Sequence, residues 1–414
     1  MVQSSASKRT TYARFILEGL TIVLIFMTGL FSRWGAWQDR VVLDFDVFYI
    51  VAQRVWHGDV DQAYHWERLL QMQMDASGGR FRFLPWAYPP QFDLLVAPLA
   101  LVPVGTAYFL FTAATLGFYL LMLRAVAKSY FALVVILLSP ALLINLMCGQ
   151  NGFLTGGLIG FTCLTIERRQ LAAGLSLGAM VIKPHLAIAF AVYALLARRW
   201  ITVITATTVI LLSSILCTLL LGPQIWGAFL GSVHDSAAYL GRGSNPLFRM
   251  ISVYAVLRTA GFSASLAFLS QVVVAVVALS VVGRAIYRQL PAHWCLGLAA
   301  VVSVMISPKA NDYDLTILGV GMALLLPDLT RLASARERTA IYCMTLMAGS
   351  YSWLQILRAS VQYGTGPIEH FLAFSGLPLL VLLWLIVRVL LRGAGELRLE
   401  RQRAAVSNNE LKGI

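Results

Sequence analysis

Charged residues are scarce in this chain of 414 residues. Asp, Glu, Lys and Arg make up 12% of the sequence, whereas a soluble protein carries about a quarter. Hydrophobic residues make up 59% of it, and the mean hydropathy is +0.75. This composition excludes an ordinary soluble enzyme and predicts a protein whose helices lie in lipid.

Histidine- and cysteine-based metal motifs and disulfide patterns are also missing. The five cysteines lie inside apolar runs without CxxC spacing, which predicts small core residues rather than a disulfide framework. An HExxH motif is absent, and the histidines share no short spacing. No Gly-rich phosphate loop is present either. We therefore expect no metal site, no cofactor and no direct use of ATP.

Long apolar runs are what the sequence has instead. Each is long enough to cross a hydrocarbon core of about 30 Å as a helix. The seven runs are residues 15–31, 107–122, 131–147, 201–221, 266–282, 341–357 and 371–391. A small-x-small cleavage site does not follow the first run, so we expect a retained helix. The sequence predicts an all-α polytopic membrane protein.

The basic residues indicate which loops share a side of the membrane. They lie mostly in short segments between apolar runs, as the positive-inside rule requires of cytoplasmic loops. Connecting these segments gives about twelve crossings, with residues 1–14 and 392–414 in the cytoplasm. The same rule explains the net charge of +13 without nucleic acid as a partner. The loops expected on the outer face are residues 33–91, 148–152, 182–185, 223–249, 307–314 and 361–370.

The long first outer loop contains the stretch "LDFDVFYIVAQRVWHG". Its apolar residues recur at helical spacing and predict an amphipathic helix, and we expect a second helix over residues 61–74. Asp44 and Asp46 stand at the start of the first helix. They fit a helix N-terminus, where acids complement the dipole. Alternatively, one carboxylate acts as general base on a hydroxyl.

Three cations have similar positions near predicted helix ends on the outer face. Lys183 interrupts an apolar stretch in "MVIKPHLAI", and Arg249 and Lys309 stand in "SNPLFRM" and "SPKANDYD". A lone lysine there would fit snorkelling to the interface. Three such cations favour a bound lipid phosphate or pyrophosphate.

Amides and acids suited to sugar hydroxyls accompany these cations. The alternative for the amides is capping of helix ends. The candidate sugar- or acceptor-binding residues are Tyr88, Gln150, Asn151, His185, Asn245, Asn311, Asp312 and Asp314.

Several segments, in this order, resemble a known family. They are "DFDVFYIVAQ", "WAYPPQFDLLVAPLALVP", "CGQNGFLTGGLIG", "AAGLSLGAMVIKPHLAIAFAVYALLARRW", "GSNPLFRM" and "SPKANDYDLTIL". Together they resemble glycosyltransferase family 87, integral-membrane enzymes of the GT-C type that include polyprenyl-phosphate-mannose-dependent mannosyltransferases.

The resemblance implies a single domain over residues 1–414, a bundle of about a dozen membrane helices, and a long helical first loop on the outer face. It implies that Asp44, with Asp46 as the alternative, is the catalytic base, and that Lys183 contacts the donor phosphate. The implied reaction moves a hexose, mannose first, from a polyprenyl phosphate to a lipid or glycan acceptor, with inversion and without a metal. The implied location is the outer face of a bacterial cytoplasmic membrane.

One departure from the family leaves the donor open. The mannosyltransferases carry a histidine after the late Ser-Pro motif, and "SPKANDYD" has none. Two other functions share the expected outer-face cations: a transporter or flippase for a lipid-linked sugar, and a ligase that takes a diphosphate donor. A flippase predicts polar residues along a path that reaches both faces, whereas here they gather on one side.

Overall fold

The computed structural model describes residues 2–32, 42–78, 83–242, 247–362 and 371–412. In these ranges about 85% of the residues are helical, and there is no β-strand. The helices are α1 (Val2–Ser32), α2 (Asp44–His57), α3 (Trp66–Ser77), α4 (Pro90–Val96), α5 (Val104–Ala127), α6 (Phe131–Cys148), α7 (Gly152–Thr165), α8 (Gln170–Ala179), α9 (Ile188–Leu196), α10 (Trp200–Leu221), α11 (Gln224–Arg242), α12 (Val253–Thr259), α13 (Ala264–Tyr287), α14 (Ala292–Ile306), α15 (Thr316–Leu332), α16 (Ala335–Gln362) and α17 (Gly376–Lys412).

Six stretches of the described chain are long and apolar enough to cross a membrane. They are Lys8–Ser32, Val104–Cys148, Trp200–Leu221, Ala264–Tyr287, Asp312–Leu332 and Gly376–Gly395. The predicted all-α membrane architecture is therefore supported, but the predicted count of about twelve crossings is not confirmed. Part of the difference is that Val104–Cys148 contains two helices, α5 and α6, and that four further apolar helices are shorter than a span.

The apolar runs of the sequence and the six stretches differ at two places. Residues 341–357 are helical within α16, but α16 is not among the six. Asp312–Leu332 is among them, although the sequence analysis did not count it as a run. Its first turn carries Asp312 and Asp314, and Pro327 lies inside α15. These polar and helix-breaking residues shorten the apolar pattern, whereas packing inside the bundle buries the segment.

Helices α14 and α15 form the core of the bundle. Every residue of α14 from Trp294 to Met305 is buried, and α15 packs against α5, α6, α7, α14 and α17. In contrast, α10 and α13 expose many of their large apolar side chains, such as Leu219 and Phe268. Exposed apolar helices of this length are typical of lipid-facing spans.

Two glycines bring the helix ends of the site together. Helix α6 ends at Gly149, whose φ is 64°, a left-handed conformation that favours glycine. A Cβ there would stand 2.6 Å from Cβ of Phe45, so glycine lets the end of α6 lie against the start of α2. At Gly152, where α7 begins, the carbonyl accepts a hydrogen bond of 2.7 Å from the Thr316 hydroxyl at the start of α15.

Candidate active site

A cavity of about 420 Å³ lies where these helix ends meet. Its size is within the range of roughly 300–1,000 Å³ that is typical of small-molecule sites. One wall is apolar and includes Pro85, Pro89, Phe229 and Val233. The polar lining residues are Asp44, Tyr88, Gln150, Lys183, His185, Ser236, Arg249, Ser307, Lys309, Asn311, Tyr313 and Asp314. They come from loops that the positive-inside argument placed on one side of the membrane.

The two aspartates of α2 have different surroundings. Asp44 lines the cavity, and its Oδ1 accepts a 2.9 Å hydrogen bond from Nε2 of Gln150. Its Oδ2 lies 3.7 Å from Nη1 of Arg249. Asp46 is fully buried, is not among the lining residues, and accepts a 2.7 Å hydrogen bond from the backbone N–H of Leu43. Of the two predicted bases, Asp44 reaches the cavity and Asp46 caps the helix.

Arg249 is held against Asp312 by two hydrogen bonds. Nε and Nη2 of the guanidinium donate to the two carboxylate oxygens at 3.1 and 3.0 Å, and Nη2 also contacts Sγ of Cys148 at 3.3 Å. Burial opposes the positive charge, but Asp312, Cys148 and Asp44 outweigh it and raise the pKa of Arg249 well above its ordinary value. Asp312 does not line the cavity. Its predicted contact with sugar is replaced here by a contact with Arg249.

Lys183 forms a second buried ion pair, with Asp314. Nζ donates to Oδ1 at 2.8 Å, and both side chains are almost completely buried. The face of Tyr313 lies 4.5 Å from Nζ of Lys183 and 5.6 Å from the guanidinium carbon of Arg249, within cation–π range of both. Burial disfavours the ammonium ion, yet Asp314, Tyr88 and Asp44 together raise the pKa of Lys183. The lysine is therefore charged and already has a carboxylate partner.

Lys309 differs from the other two cations. Its Nζ donates to the hydroxyl of Ser236 on α11 at 3.0 Å, and no carboxylate of the described chain forms an ion pair with it. Burial lowers its pKa, as expected when an ammonium group loses water without gaining an acid. Lys309 is thus suited to an anion that the protein itself does not supply.

The segment from Ser307 to Asp314 is shaped by its own hydrogen bonds. Asn311 forms an isolated antiparallel bridge with Met250, and Asp314 Oδ2 accepts a 3.0 Å hydrogen bond from the N–H of Asn311. The N–H of Ile251 donates to the carbonyl of Ala310 at 2.9 Å. These contacts place Met250 and Ile251 next to the segment that carries Asp312 and Asp314.

A sequence model of the family described as glycosyltransferase family 87 matches residues 86–308, more than half of the chain. The chain belongs to glycosyltransferase family 87. Comparisons with curated proteins and with solved structures return no match.

Membership confirms the resemblance and implies that the protein is a glycosyltransferase. The family match includes Gln150, Lys183 and Arg249. Asp44 precedes the matched region and Lys309 follows it, so the case for these two residues rests on their place in the cavity.

Most of the predicted site residues of this family 87 member meet in the cavity. Asn311 and His185 line it, and burial lowers the pKa of His185 to about 4, so its imidazole is neutral near pH 7. Asn151 is fully buried, is not among the lining residues, and has no hydrogen-bond partner for its side-chain amide in the described chain. Asn245 lies outside the described residues.

Two residues that organise the site, Tyr313 and Asn145, are not among those predicted from the sequence. Tyr313 lies between the two paired cations, and Asn145 holds the turn after α6 when its amide is oriented to donate to the carbonyl of Gln150 and to accept from the N–H of Phe153. An aromatic residue between two acids, in "NDYD", was the available signal for Tyr313. Asn145 stands in an apolar helix, and its isolation there was the signal.

No group of three His, Cys, Asp or Glu side chains within the described ranges is arranged to hold a metal ion. The acids of the cavity instead pair with Arg249 and Lys183. The absence of a dedicated metal site stays a prediction.

Proposed function

We propose that this chain transfers a hexose, mannose first, from a polyprenyl phosphate to a hydroxyl group of a lipid or glycan acceptor. Asp44 is the general base, the anomeric configuration inverts, and no metal takes part. The reaction takes place on the outer face of a bacterial cytoplasmic membrane, with both termini on the cytoplasmic side. The observation that carries the proposal is that Asp44 and three cations line one cavity of a family 87 member.

The charges of the cavity fit a phosphate leaving group. Lys183 and Arg249 are neutralised by Asp314 and Asp312, whereas Lys309 has no acid partner in the described part of the chain. A donor phosphodiester carries one negative charge, which Lys309 would balance. Fixed cations near the leaving oxygen stabilise the charge that develops as the bond to the sugar breaks.

The two walls of the cavity fit an amphipathic donor. The sugar and phosphate would lie against the polar wall, and the start of the lipid chain would lie against Phe229 and Val233. Val233 and its neighbour Leu230 are also exposed on α11, which offers the lipid chain an apolar path out of the cavity.

Incubation of the purified protein in lipid nanodiscs with radiolabelled polyprenyl-phosphate hexoses tests the proposal. Mannose is tried first, membrane extract supplies the acceptor, and EDTA is present throughout. We expect release of polyprenyl phosphate and transfer of label, both lost in Asp44→Asn. Asp59→Asn is the matched control, because Asp59 forms a partly exposed ion pair with Arg54 and does not line the cavity.

Two outcomes would reject the proposal. Movement of a lipid-linked sugar across the bilayer without turnover of any monophosphate donor would favour a flippase. Turnover of diphosphate donors alone would favour a ligase.

A further inference from the structure

The side-chain amide of Gln150 has one orientation that satisfies its neighbours. The backbone N–H of Asn151 lies 3.1 Å from Oε1, and a backbone N–H is always a donor. That atom must therefore be the oxygen, and the hydroxyl of Tyr88 donates to it as well, at 3.0 Å. Nε2 then faces Oδ1 of Asp44 at 2.9 Å. The amide orientation, normally ambiguous, is fixed here by the backbone.

These contacts leave Gln150 little capacity to bind a sugar. An amide oxygen has two lone pairs and an amide nitrogen has two hydrogens. Tyr88 and Asn151 occupy both lone pairs, and Asp44 accepts one hydrogen. Burial raises the pKa of Tyr88, so its hydroxyl keeps the proton that it donates. Gln150 thus lines the cavity, but its amide N–H is directed at Asp44.

The same contact makes the two oxygens of Asp44 unequal. Oδ1 is bound by Gln150, whereas Oδ2 is buried and has no hydrogen-bond donor among the described residues. Arg249 lies 3.7 Å from Oδ2, too far for a hydrogen bond. A buried acceptor without a donor is costly, and a hydroxyl group of a bound acceptor would remove that cost.

We propose that Gln150 is a positioning residue that holds Oδ1 of Asp44, so that Oδ2 receives the proton of the acceptor hydroxyl. This inference rests on the proposed function, in which Asp44 is the base. In the step, the acceptor O–H bond breaks and its proton moves to Oδ2. The acceptor oxygen bonds to the anomeric carbon, and the bond from that carbon to the phosphate oxygen breaks. Its electron pair leaves with the polyprenyl phosphate.

Besides Gln150, several charged or titratable groups also face Asp44. These are Arg249, Lys183, Asp312, Tyr88 and Tyr313. None of them is substituted in the variants below, so the comparison with wild type tests the change at Gln150.

The test labels Asp44 with a water-soluble carbodiimide and an amine over a range of pH, and mass spectrometry of the peptide measures the extent of labelling. The reagent reacts with protonated carboxyl groups, so labelling reports protonation without any turnover. In Gln150→Leu we expect the labelling midpoint to rise by about one pH unit, because a hydrogen bond that favours the carboxylate is lost. In the isosteric Gln150→Glu the rise is larger, because two carboxyl groups face each other.

Gln91→Leu is the matched control. Gln91 is a buried glutamine whose Nε2 donates to the hydroxyl of Ser214 and which does not line the cavity. Its substitution should leave the midpoint for Asp44 unchanged. If Gln150→Leu does not fold, Gln150→Glu carries the test alone, because it keeps the acceptor for Tyr88 and Asn151. Midpoints that coincide with wild type in the folded variants would overturn the inference.

Kinetics separate this inference from the proposed function. With an active wild type we expect kcat of Gln150→Leu to fall about 10- to 100-fold, with little change in KM for the donor. A higher KM at unchanged kcat would make Gln150 a sugar contact and overturn the positioning role. A labelling shift in a wild type that uses no monophosphate donor would keep the contact with Asp44 and reject the transferase.

Discussion

Two groups of buried acids in this chain differ in what surrounds them. At the cavity, Asp44, Asp312 and Asp314 face Arg249 and Lys183. Behind the cavity wall, Asp93 in α4 is fully buried, and no Lys or Arg of the described chain forms an ion pair with it. Its Oδ1 accepts a 3.0 Å hydrogen bond from the indole of Trp86, and its Oδ2 lies 2.8 Å from the hydroxyl of Tyr64.

The hydrogens around Asp93 indicate that it is a neutral acid. The Tyr64 hydroxyl lies within hydrogen-bond distance of both Asp93 and the carbonyl of Tyr88, at 2.8 and 2.9 Å, but it has a single hydrogen to donate. If Asp93 is protonated, it donates to Tyr64, and Tyr64 donates to the carbonyl. Burial also raises the pKa of Asp93 well above its usual range, against the two hydrogen bonds.

The two groups differ in whether a cation compensates the acid. A buried charge is retained where a cation compensates it, and otherwise the group takes a proton. The cavity acids lie beside Arg249 and Lys183, whose positive charges compensate them. Asp93 supports Tyr88, whose side chain in turn holds Gln150.

Neutralising an acid of the cavity should have the largest effect on the reaction. We expect Asp44→Asn to lower kcat by about 10²- to 10⁴-fold, the range that a general base contributes, with the fold intact. The measurement is transfer from a polyprenyl-phosphate hexose, with thermal unfolding in detergent as the check on the fold. Asp46→Asn should cost much less, because Asn also accepts from the N–H of Leu43. Equal activity of wild type and Asp44→Asn would remove the distinction between the two groups of acids.

Breaking an ion pair of the cavity should have the largest effect on stability. In Asp312→Leu the buried Arg249 loses the carboxylate that accepts two of its hydrogen bonds. We expect the free energy of unfolding to fall by about 3–5 kcal/mol, as for other buried pairs that lose one partner. The double variant Asp312→Leu, Arg249→Leu should recover most of this lost free energy of unfolding, because no unpaired charge remains. Denaturation in mild detergent measures both, and a double variant less stable than the single one would contradict the expectation.

Removing the cation that lacks an acid should affect the donor and spare the fold. We expect Lys309→Met to weaken donor binding by about 1–3 kcal/mol, the value of a charge-assisted hydrogen bond to phosphate. No carboxylate loses a partner, so the thermal midpoint should stay near that of wild type. Donor KM and direct binding of polyprenyl phosphate are the measurements, with the exposed Lys8→Met as control. An unchanged KM would place the phosphate elsewhere in the cavity.

The site was predictable from the sequence where a polar residue interrupts an apolar stretch. Lys183, Arg249 and Lys309 were predicted to lie close together because charges near lipid are expensive, and all three line the cavity. Their partners were not predictable, because which acid meets which cation depends on packing between segments far apart in the sequence. Thus Asp312 and Asp314 were predicted as sugar- or acceptor-binding residues, and their pairing with Arg249 and Lys183 was not predicted.

The fold was predictable in class and less so in detail. Apolar runs of span length identify helices such as α10 and α13, because lipid demands apolar residues all round. Such runs do not identify Asp312–Leu332. Polar residues are tolerated in this segment because the protein, rather than lipid, surrounds it. The role of Asp93 was not predicted either. The sequence "PPQFDLLV" does not show whether its single acid is charged or neutral.

Replacing Asp93, the neutral buried acid, by an amide should therefore have little effect. Asp93→Asn replaces a neutral acid by a neutral amide that still accepts from Trp86 and donates to Tyr64. We expect a change in unfolding free energy below about 1 kcal/mol and nearly normal transfer. Asp93→Leu leaves Trp86 and Tyr64 without that partner and should cost more, about 1–3 kcal/mol. A loss of activity in Asp93→Asn as large as in Asp44→Asn would contradict this expectation.

His185 tests the boundary between the two groups, because it lies in the charged cavity but is neutral. Asp314, Lys183 and Lys309 face it, and burial lowers its pKa to about 4. The unfolded chain binds a proton near the ordinary value of 6.5, so stability should be lost as pH falls from 6.5 towards 4. His185→Asn, which does not titrate, should lose less stability between pH 7 and pH 5, by no more than about 2 kcal/mol. Thermal unfolding in detergent at both pH values measures this, with the exposed His234→Asn as control. If both variants follow the wild-type pH dependence, the pKa of His185 is the same in the folded and unfolded protein, and burial does not keep its imidazole neutral below about pH 6.5.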